Sequence, residues 1–600
     1  MSARRFLNRH GLTARSLKKC SCYTPARSKI KVTTFCGTRA LRAPEAVFLL
    51  IPLPDTFNVA TWFVDRNVQE GRGDKIAIVC GDGRITYQQL LENTNRAGNA
   101  LLELGVRPEE RVLLLLLDTP EFLYSFFGAI KIGAVAVPVN TLAKPQDYVY
   151  MLDDSRARTA IVSEALLPQM RSIPQEKLRY LQHVVVAESS SESATLRTAS
   201  SQTVAPQNLA SQNVHSLKKI MEAASRRLDA AATSKDEPAF WLYSSGSTGP
   251  SKGCVHLHHD MVVSTELYAK GILKMQESDR CFSVARLFFA YGLGNAGYFP
   301  LGCGATTILN PERPTPATIY ADIERFRPTL FFSVPTNFAA LLAYHRENGP
   351  EFDLSSVRNA ISAGEPLPAP LFHRFKERFG VEILDSLGST ETLQMVIANR
   401  PSEARPGSSG KLIPGFEARL VDEQGNDVGP NEIGDLLIKA DSTCAGYWNK
   451  HEKSKETFVG EWFRSGDKYS QDADGYFWYA GRANDLFKVN GLWLSPAEVE
   501  SVLISHALVR EAAVVAREDG DGLMKPAAHV VLNDLSSASE GLAQELRDLV
   551  AQKIGGYKRP RWIEFVAEIP KTATGKLQRF KLREMQEHHE EQDQTKGTSK

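Results

Sequence analysis

Neither sign of charge is in excess in this sequence, and no apolar run is long enough to cross a bilayer. The chain carries 71 Lys and Arg residues against 70 Asp and Glu residues, which gives no electrostatic argument for nucleic acid or an acidic membrane as a partner. The longest apolar runs, residues 47–53 and 112–117, are far shorter than the roughly 20 residues of a transmembrane helix. We therefore expect no nucleic acid and no membrane among its partners.

Paired cysteines of the kind that hold structural zinc are also missing. Of the eight cysteines only Cys20 and Cys22 lie close together, and no CxxC pair is matched by a second one. This spacing argues against a structural zinc site. Scattered single thiols are typical of a reducing compartment, so we expect a cytoplasmic protein.

Acidic residues are absent from the first 44 positions, where eleven Lys and Arg residues occur. This composition fits a mitochondrial transit peptide, which would place the protein in the mitochondrial matrix; the alternative is a dispensable basic extension. In either case we expect residues 1–50, like the tail 586–600, to be disordered and outside the catalytic fold.

Short apolar strands alternate with amphipathic helices from about residue 57 to residue 168. This repetition predicts a parallel sheet with helices on both faces. At 600 residues the chain is too long for one hydrophobic core. We therefore predict an α/β protein in three parts: a large N-terminal domain of stacked αβαβα sheets with a β-subdomain (51–481), a hinge (482–485) and a small, mobile α+β lid domain (486–585).

A loop of small residues follows one predicted strand near the middle of the chain. The string Trp241-Leu-Tyr-Ser-Ser-Gly-Ser-Thr-Gly-Pro-Ser-Lys-Gly253 starts apolar and then becomes hydroxyls and glycines. Glycines let the backbone approach a ligand, and successive N–H groups in such a loop form an anion-binding concavity. The spacing differs from the P-loop of kinases and GTPases. The string predicts a polyphosphate-binding loop; the alternative is a flexible Ser/Gly surface loop.

Two more polar strings, 362–366 and 385–391, open at the ends of predicted strands. Open α/β sheets bind ligands at the carboxyl ends of their strands. An aromatic string that becomes rich in glycine, 286–294, indicates a backbone that makes room for a flat group. The histidines of 256–259 invite a metal interpretation, but we expect instead a helix start beside the small-residue loop.

The small-residue loop strongly resembles the phosphate-loop signature of the acyl-adenylate-forming enzymes, which include acyl-CoA ligases, luciferases and the adenylation domains of peptide synthetases. Six such strings occur in the family's order across about residues 60–583. The resemblance implies that ATP converts a carboxylic acid to an acyl-AMP with release of pyrophosphate. Coenzyme A then displaces AMP, and Mg²⁺ assists the first step.

The resemblance also assigns roles to individual residues. It implies catalytic roles for Lys576, Thr248, Glu391 and Lys488, with Glu391 as the Mg²⁺ ligand. It places Gly491 and Trp493 in the coenzyme A channel. The residues implied to bind ATP are Ser244, Ser245, Gly246, Ser247, Thr248, Gly249, Lys252, Gly364, Glu365, Pro366, Asp385, Thr390, Asp467 and Arg482.

The acid is expected to be small and aromatic. The string 288–292 contains no carboxylate that would pair with an amino group, and an unpaired buried ammonium is costly, so an amino acid is not expected. The strings 287–295 and 488–496 resemble benzoate– and hydroxybenzoate–CoA ligases, in which a histidine usually stands at Gln394. The implied acid pocket consists of Phe289, Ala290, Tyr291, Ala363, Gly388, Gln394 and Met395.

Two alternatives stay open at this point. One is an aliphatic or medium-chain acyl-CoA ligase of the same fold, and the other is a non-catalytic member of the family. The family usually has aspartate at Asn484, which leaves open which residue acts as the hinge. The sequence is compatible with a monomer or a homodimer.

Overall fold

The computed structural model describes residues 41–42, 51–188, 213–244, 250–346, 351–482, 485–489, 492–519, 523–571, 577–579, 581–583 and 585. The chain divides into two units, Met1–Arg39 and Ala40–Lys600, and the first lies wholly outside the described residues. The prediction of disorder for residues 1–50 and 586–600 falls outside the described residues except at Leu41 and Arg42, which instead form a strand paired antiparallel with Ala418 and Glu417. None of the described helices combines the length and apolar character that a bilayer crossing requires.

One sheet of seven strands carries the strand that leads into the small-residue loop. Its neighbours run parallel except at one edge, where Lys252–Leu257 is antiparallel to Pro238–Ser244. Edge to edge, the strands are Lys252–Leu257, Pro238–Ser244, Val135–Pro138, Arg111–Leu115, Thr159–Ser163, His183–Ala187 and Asn213–Ser216.

A second sheet, of fifteen strands within the described residues, joins a parallel half to an antiparallel half. The parallel half consists of Ile383–Gly388, Asn359–Ala363, Leu330–Ser333, Arg280–Ser283, Thr306–Leu309 and Ile76–Cys80, with Gly83–Thr86 antiparallel at its edge. The antiparallel half consists of Met395–Ala398, Gly410–Leu412, Tyr476–Arg482, Trp462–Gln471, Gly434–Lys439, Glu417–Val421 and Leu41–Arg42, with Phe458–Val459 beside Trp462–Gln471.

Helices cover these sheets, and large buried clusters fill the space between the layers. Within the region 57–168, where strands and helices were predicted to alternate, the longest helices are Tyr87–Glu103 and Pro120–Lys131. The α-helices up to residue 482 are Arg66–Gln69, Tyr87–Glu103, Pro120–Lys131, Pro145–Ser155, Leu167–Arg171, Leu217–Ala223, Asp260–Ser264, Ala290–Gly292, Phe299–Gly302, Pro316–Phe326, Pro335–Ala343, Ala369–Phe379 and His451–Thr457. Short π-helices occur at Thr61–Asp65, Thr265–Lys270 and Leu293–Tyr298, and 3₁₀ turns at Glu164–Leu166 and Gln175–Lys177.

Beyond residue 485 the chain builds a smaller α+β module with a core of its own. Its three-stranded sheet pairs Val509–Glu518 antiparallel to Met524–Leu532, which runs parallel to Trp562–Phe565. Two α-helices, Pro496–Ile504 and Glu540–Ile554, pack with this sheet. The hairpin Phe487–Val489/Leu492–Leu494 precedes them, and 3₁₀ turns lie at Leu535–Ser537 and Gly556–Lys558.

One local prediction is only partly right. The histidines of 256–259 were expected to start a helix, but His256 lies in the strand Lys252–Leu257, opposite Phe240 of Pro238–Ser244, and the helix begins only at Asp260. Pro335 opens the helix Pro335–Ala343. Proline fits there because the first helical N–H groups have no partner within the helix.

Candidate functional site

The two polar strings at strand ends lie side by side. The strands Asn359–Ala363 and Ile383–Gly388 are parallel neighbours, with Ala363 opposite Ser386. Gly364 leaves its strand with φ of 89°, in the left-handed region that favours glycine. Glu365 then accepts a hydrogen bond from Thr336 Oγ1 at 3.0 Å. The sheet thus brings the two predicted adenine-flanking strings to one edge.

Asp385, which was predicted to bind ATP, is buried inside the protein. It lies within the strand Ile383–Gly388 and is almost fully buried. Burial raises the pKa of this carboxyl well above its ordinary value. Its Oδ1 has no hydrogen-bond partner among the described residues, so Asp385 has an acceptor left for a ligand.

Glu391, the predicted Mg²⁺ ligand, stands at the centre of a polar cluster. Its Oε1 accepts a hydrogen bond from Tyr447 OH at 2.7 Å. Ser244 Oγ lies 3.5 Å from the same oxygen, and Lys252 Nζ lies 4.0 Å from it. The structure therefore joins the two ends of the phosphate loop, Ser244 and Lys252, to the predicted metal ligand.

Tyr447 contributes a second contact to this cluster. Lys252 Nζ lies 4.4 Å from the centre of the Tyr447 ring and 3.4 Å from its hydroxyl. A cation over an aromatic face is attracted by the ring quadrupole. Burial, and next the negative charge of Glu391, raise the pKa of Tyr447, so its hydroxyl stays protonated and remains a donor.

A backbone ladder holds the cluster together. Residues 445–448 run beside the edge strand Lys252–Leu257, with Val255 N–H donating to the Gly446 carbonyl at 3.0 Å and Ala445 N–H donating to the Val255 carbonyl at 2.9 Å. The Cys444 N–H donates to the carbonyl of Glu391 at 2.8 Å. One segment thus connects the edge of the seven-stranded sheet to the Glu391 segment.

His256 anchors the residue next to Glu391. Its Nδ1 lies 2.8 Å from Asp260 Oδ2, and its Nε2 donates to the Thr390 carbonyl at 2.8 Å. The ring stacks on Phe240 with centroids 5.0 Å apart. Both ring nitrogens are thus engaged within the protein, and His256 has a structural role in placing Thr390.

Asp467 and Arg482 form a cross-strand ion pair. They are direct partners in the strands Trp462–Gln471 and Tyr476–Arg482, and Arg482 Nε lies 3.0 Å from Asp467 Oδ1. The neighbouring carboxylate raises the pKa of the guanidinium above its ordinary value. Asp467 is buried, whereas Arg482, the last residue of its strand, is half exposed to solvent.

Most of the predicted acid-pocket residues are linked to one another. Gln394 Nε2 donates to the carbonyl of Ala290 and lies 3.4 Å from the carbonyl of Tyr291. Tyr291 OH in turn reaches the carbonyl of Ile361 at 3.0 Å, on the strand that ends in Ala363. In addition, Gly388 is the cross-strand partner of Met395, and the Phe289 ring packs against Phe288 with centroids 4.2 Å apart.

The glycine-rich string makes room for the protein's own groups. A β-carbon on Gly294 would lie 2.1 Å from Gln394 Nε2, and one on Gly292 would lie 2.0 Å from the Arg286 carbonyl oxygen. The backbone contact at Gly292 cannot be relieved, so that position requires glycine, whereas a β-carbon at Gly294 would require the Gln394 side chain to move. The string 286–294 was expected to make room for a flat ligand. At Gly294, however, the side chain of Gln394 occupies that space.

Several predicted residues fall outside the described structure. These are Ser245, Gly246, Ser247, Thr248, Gly249, Gly491 and Lys576. Only the backbone of Lys488 and Trp493 is described, where they are cross-strand partners in the hairpin after the predicted hinge. At that hinge Asp485 pairs with Arg583 at 3.2 Å and with Arg579 at 3.5 Å.

Tyr447 is the site residue that the sequence interpretation missed. It stands 56 positions from Glu391 in the sequence. The string around it, Gly446-Tyr447-Trp448, contains no charged residue that would indicate a functional site. Only the pairing of residues 445–448 with Lys252–Leu257 brings the two together.

Comparison with known proteins gives matches along most of the chain. The family model for AMP-binding enzymes matches residues 64–448, and the model for the AMP-binding enzyme C-terminal domain matches residues 498–576. A benzoate–CoA ligase of Thauera aromatica is 45% identical over 89% of this chain and 97% of its own length. A 4-hydroxybenzoate–CoA/benzoate–CoA ligase of Rhodopseudomonas palustris is 42% identical over 89% of this chain and 95% of its own length.

The fold is also that of solved structures. The anthranilate CoA ligase AuaEII, crystallised with anthranoyl-AMP, superposes with a TM-score of 0.82 at 42% identity and covers 89% of this chain and 98% of its own. The predicted α/β class with a small C-terminal module is thereby confirmed. Together with the Glu391 cluster at the strand ends, these matches show that the chain belongs to the AMP-binding enzyme family.

Proposed function

We propose that this protein joins benzoate or a substituted benzoate to coenzyme A, using ATP and passing through an acyl-AMP. The observation that carries the proposal is the match, over nearly their whole length, to ligases named for benzoate and 4-hydroxybenzoate. ATP and coenzyme A are substrates of all AMP-forming CoA ligases. The acid is therefore the substrate for which the residues of this chain determine specificity.

The reaction has two half-reactions at one site. In the first, a carboxylate oxygen attacks the α-phosphate of ATP, the bond to pyrophosphate breaks, and acyl-AMP forms. In the second, the thiol of coenzyme A attacks the acyl carbon and loses its proton, and AMP leaves with the electrons of the acyl–oxygen bond. In phosphoryl chemistry of this kind, positioning and electrostatics do nearly all the work.

ATP is proposed to lie along the strand ends. Ser244–Lys252 would hold the phosphates, and Thr390 would hydrogen-bond one of them. Gly364, Glu365, Pro366 and Asp385 would flank the adenine, and the unpartnered Oδ1 of Asp385 supports a polar contact there. Asp467 would accept from the ribose hydroxyls, with Arg482 beside it.

The residues around Glu391 fit a magnesium ion. A hard cation prefers carboxylate oxygens and keeps several of its waters. Within the described residues Oε1 of Glu391 is contacted by protein groups, while Oε2 has no hydrogen-bond partner. Glu391 would hold the ion through that second oxygen, and a bound Mg²⁺ would neutralise the charge of the phosphates.

The C-terminal module is proposed to supply the remaining groups in two arrangements. Lys576 would reach the α-phosphate during adenylation, and the hairpin with Lys488, Gly491 and Trp493 would line the entry for pantetheine afterwards. A few residues that absorb large backbone changes suffice for such a motion. We place this hinge at 482–485 and the two domains at 51–481 and 486–585.

The acid pocket is proposed to be flat and largely apolar. Gln394 closes one side, where its amide nitrogen is engaged by the carbonyls of Ala290 and Tyr291. The string 288–292 offers no carboxylate for an α-amino group. An aromatic ring without a positive charge therefore suits the pocket better than an amino acid.

A panel of acids tests this proposal. Purified protein is incubated with ATP, Mg²⁺, coenzyme A and one acid at a time, and AMP formation is measured for benzoate, hydroxybenzoates, aminobenzoates, octanoate and phenylalanine. We expect benzoate or a substituted benzoate to give the highest kcat/KM. Octanoate turning over far faster than every benzoate would favour the aliphatic ligase, and no AMP with any acid would favour a non-catalytic member.

The described cysteines Cys80, Cys254, Cys281, Cys303 and Cys444 are all free thiols, which supports a reducing compartment. We therefore propose the cytoplasm, or the mitochondrial matrix if residues 1–44 act as a transit peptide. Size-exclusion chromatography with light scattering distinguishes monomer from homodimer.

A further inference from the structure

Tyr447 makes the shortest contact to Glu391 in the described part of the chain. Its hydroxyl lies 2.7 Å from Oε1, and a hydrogen bond to an ionised acceptor at this distance is a strong one. The ring is buried against Cys254, Cys444 and Phe458. Because this packing restricts the ring, its hydroxyl can hold the carboxylate in one orientation.

The two oxygens of Glu391 have different surroundings. Tyr447, Ser244 and Lys252 all approach Oε1, at 2.7, 3.5 and 4.0 Å respectively. None of the described residues hydrogen-bonds to Oε2. A carboxylate with one oxygen fixed by the protein and the other left open is suited to bind a cation through the open oxygen.

The same tyrosine also reaches the phosphate-loop lysine. Lys252 Nζ lies over the Tyr447 ring at 4.4 Å, so one side chain contacts both the predicted cation ligand and the predicted phosphate ligand. We propose that Tyr447 is a positioning residue, which orients Glu391 through its hydroxyl and Lys252 through its ring. This inference rests on the proposed function of Glu391 as the Mg²⁺ ligand.

Substitution of Tyr447 by phenylalanine separates the two contacts. Tyr447→Phe keeps the packing against Phe458 and the face below Lys252, and removes only the hydroxyl. Loss of a group that orients a metal ligand typically lowers metal affinity or activity by roughly 10- to 100-fold. We therefore expect the affinity for Mn²⁺, measured by electron paramagnetic resonance with ATP present, to fall by about this factor.

A matched control exists elsewhere in the chain. Tyr320 is also fully buried and donates its hydroxyl at 2.7 Å, but to the backbone carbonyl of Leu341. Tyr320→Phe should leave Mn²⁺ affinity and activity unchanged. Unfolding midpoints of both variants separate a loss of stability from a loss of cation binding.

A double-mutant cycle tests whether the effect passes through Glu391. In the Glu391→Ala background, removal of the Tyr447 hydroxyl should cause no further loss of Mn²⁺ affinity, because groups that act through one another are not additive. Equal losses in both backgrounds, or an unchanged affinity in Tyr447→Phe itself, would overturn the proposal. The binding measurement needs no acid, so it stands whether or not the acid panel bears out a benzoate ligase.

Discussion

Two carboxylates, Glu391 in the large body of the protein and Asp485 at the start of the C-terminal module, are held in different ways. Glu391 receives a directed hydrogen bond from a neutral, buried hydroxyl. Asp485 lies between two cations, Arg579 and Arg583, and Arg579 pairs in addition with Glu500 at 2.7 Å. Both carboxylates are largely shielded from solvent, so they differ mainly in their partners, a neutral hydroxyl for Glu391 and two cations for Asp485. Under the proposed domain motion the contacts of Asp485 would break and re-form, whereas those of Glu391 would stay.

The strongest test of this contrast removes the cation that the module is proposed to deliver. Lys576→Ala should slow acyl-AMP formation by about 10²–10³-fold, the range seen when one electrostatic stabiliser is lost. ATP–pyrophosphate exchange with benzoate measures the step. Lys581→Ala, at an exposed lysine nearby, is the control and should keep the full rate. Equal rates in Lys576→Ala and the unmodified protein would show that the body adenylates without the module.

A bulky residue at position 491 should affect only the second half-reaction. Gly491→Ile should slow thioester formation about 100-fold, since a small misplacement of the thiol is enough for such a loss, while ATP–pyrophosphate exchange continues at its normal rate. Gly556→Ala is the control, because a β-carbon there has no neighbour within 4 Å. An equal loss of rate in both half-reactions would mean that the C-terminal module does not use different residues for adenylation and for thioester formation.

A smaller effect, on ATP binding, is expected when the ion pair between Asp467 and Arg482 is broken. Asp467→Asn removes the charge that pairs with Arg482 and weakens the proposed acceptor for the ribose. We expect the Kd for ATP, measured by calorimetry, to rise about 10-fold, as for loss of one hydrogen bond to a charged group. The control is Asp435→Asn, which removes a neighbouring cross-strand pair with Lys468 at 2.9 Å; weaker ATP binding in both variants would argue against a specific role.

The smallest effect is expected at the hinge itself. Asp485→Asn should accelerate tryptic cleavage after Arg482 by about two- to five-fold, because asparagine keeps an oxygen acceptor for Arg579 and Arg583 and loses only the charge of the pairs. The matched variant Asp548→Asn removes a pair with Arg559 at 3.1 Å within the module and should leave the cleavage rate unaltered. Slower cleavage of Asp485→Asn than of the unmodified protein would contradict the proposal that the pairs of Asp485 with Arg579 and Arg583 restrain the hinge.

The sequence predicted more of the parallel sheets than of the site. Helices such as Tyr87–Glu103 follow from apolar spacing and a capping threonine, Thr86, which are local signals. His256 was misplaced because the length of its strand is set by the pairing with Pro238–Ser244, in which His256 lies opposite Phe240. Gly294 was assigned to ligand space, whereas it accommodates Gln394, a contact that no local pattern encodes.

The alternation of strands and helices predicted an α/β fold, and the order of the motifs, through their resemblance to the acyl-adenylate-forming enzymes, implied an enzyme that handles nucleotides, because residue types and short spacings are read directly from the sequence. Only the tertiary structure decided which oxygen of Glu391 is held and by what. That choice depends on a strand edge that brings Tyr447 to a residue 56 positions away. Long-range pairing is set by the packing of whole sheets, and a linear pattern carries no record of it.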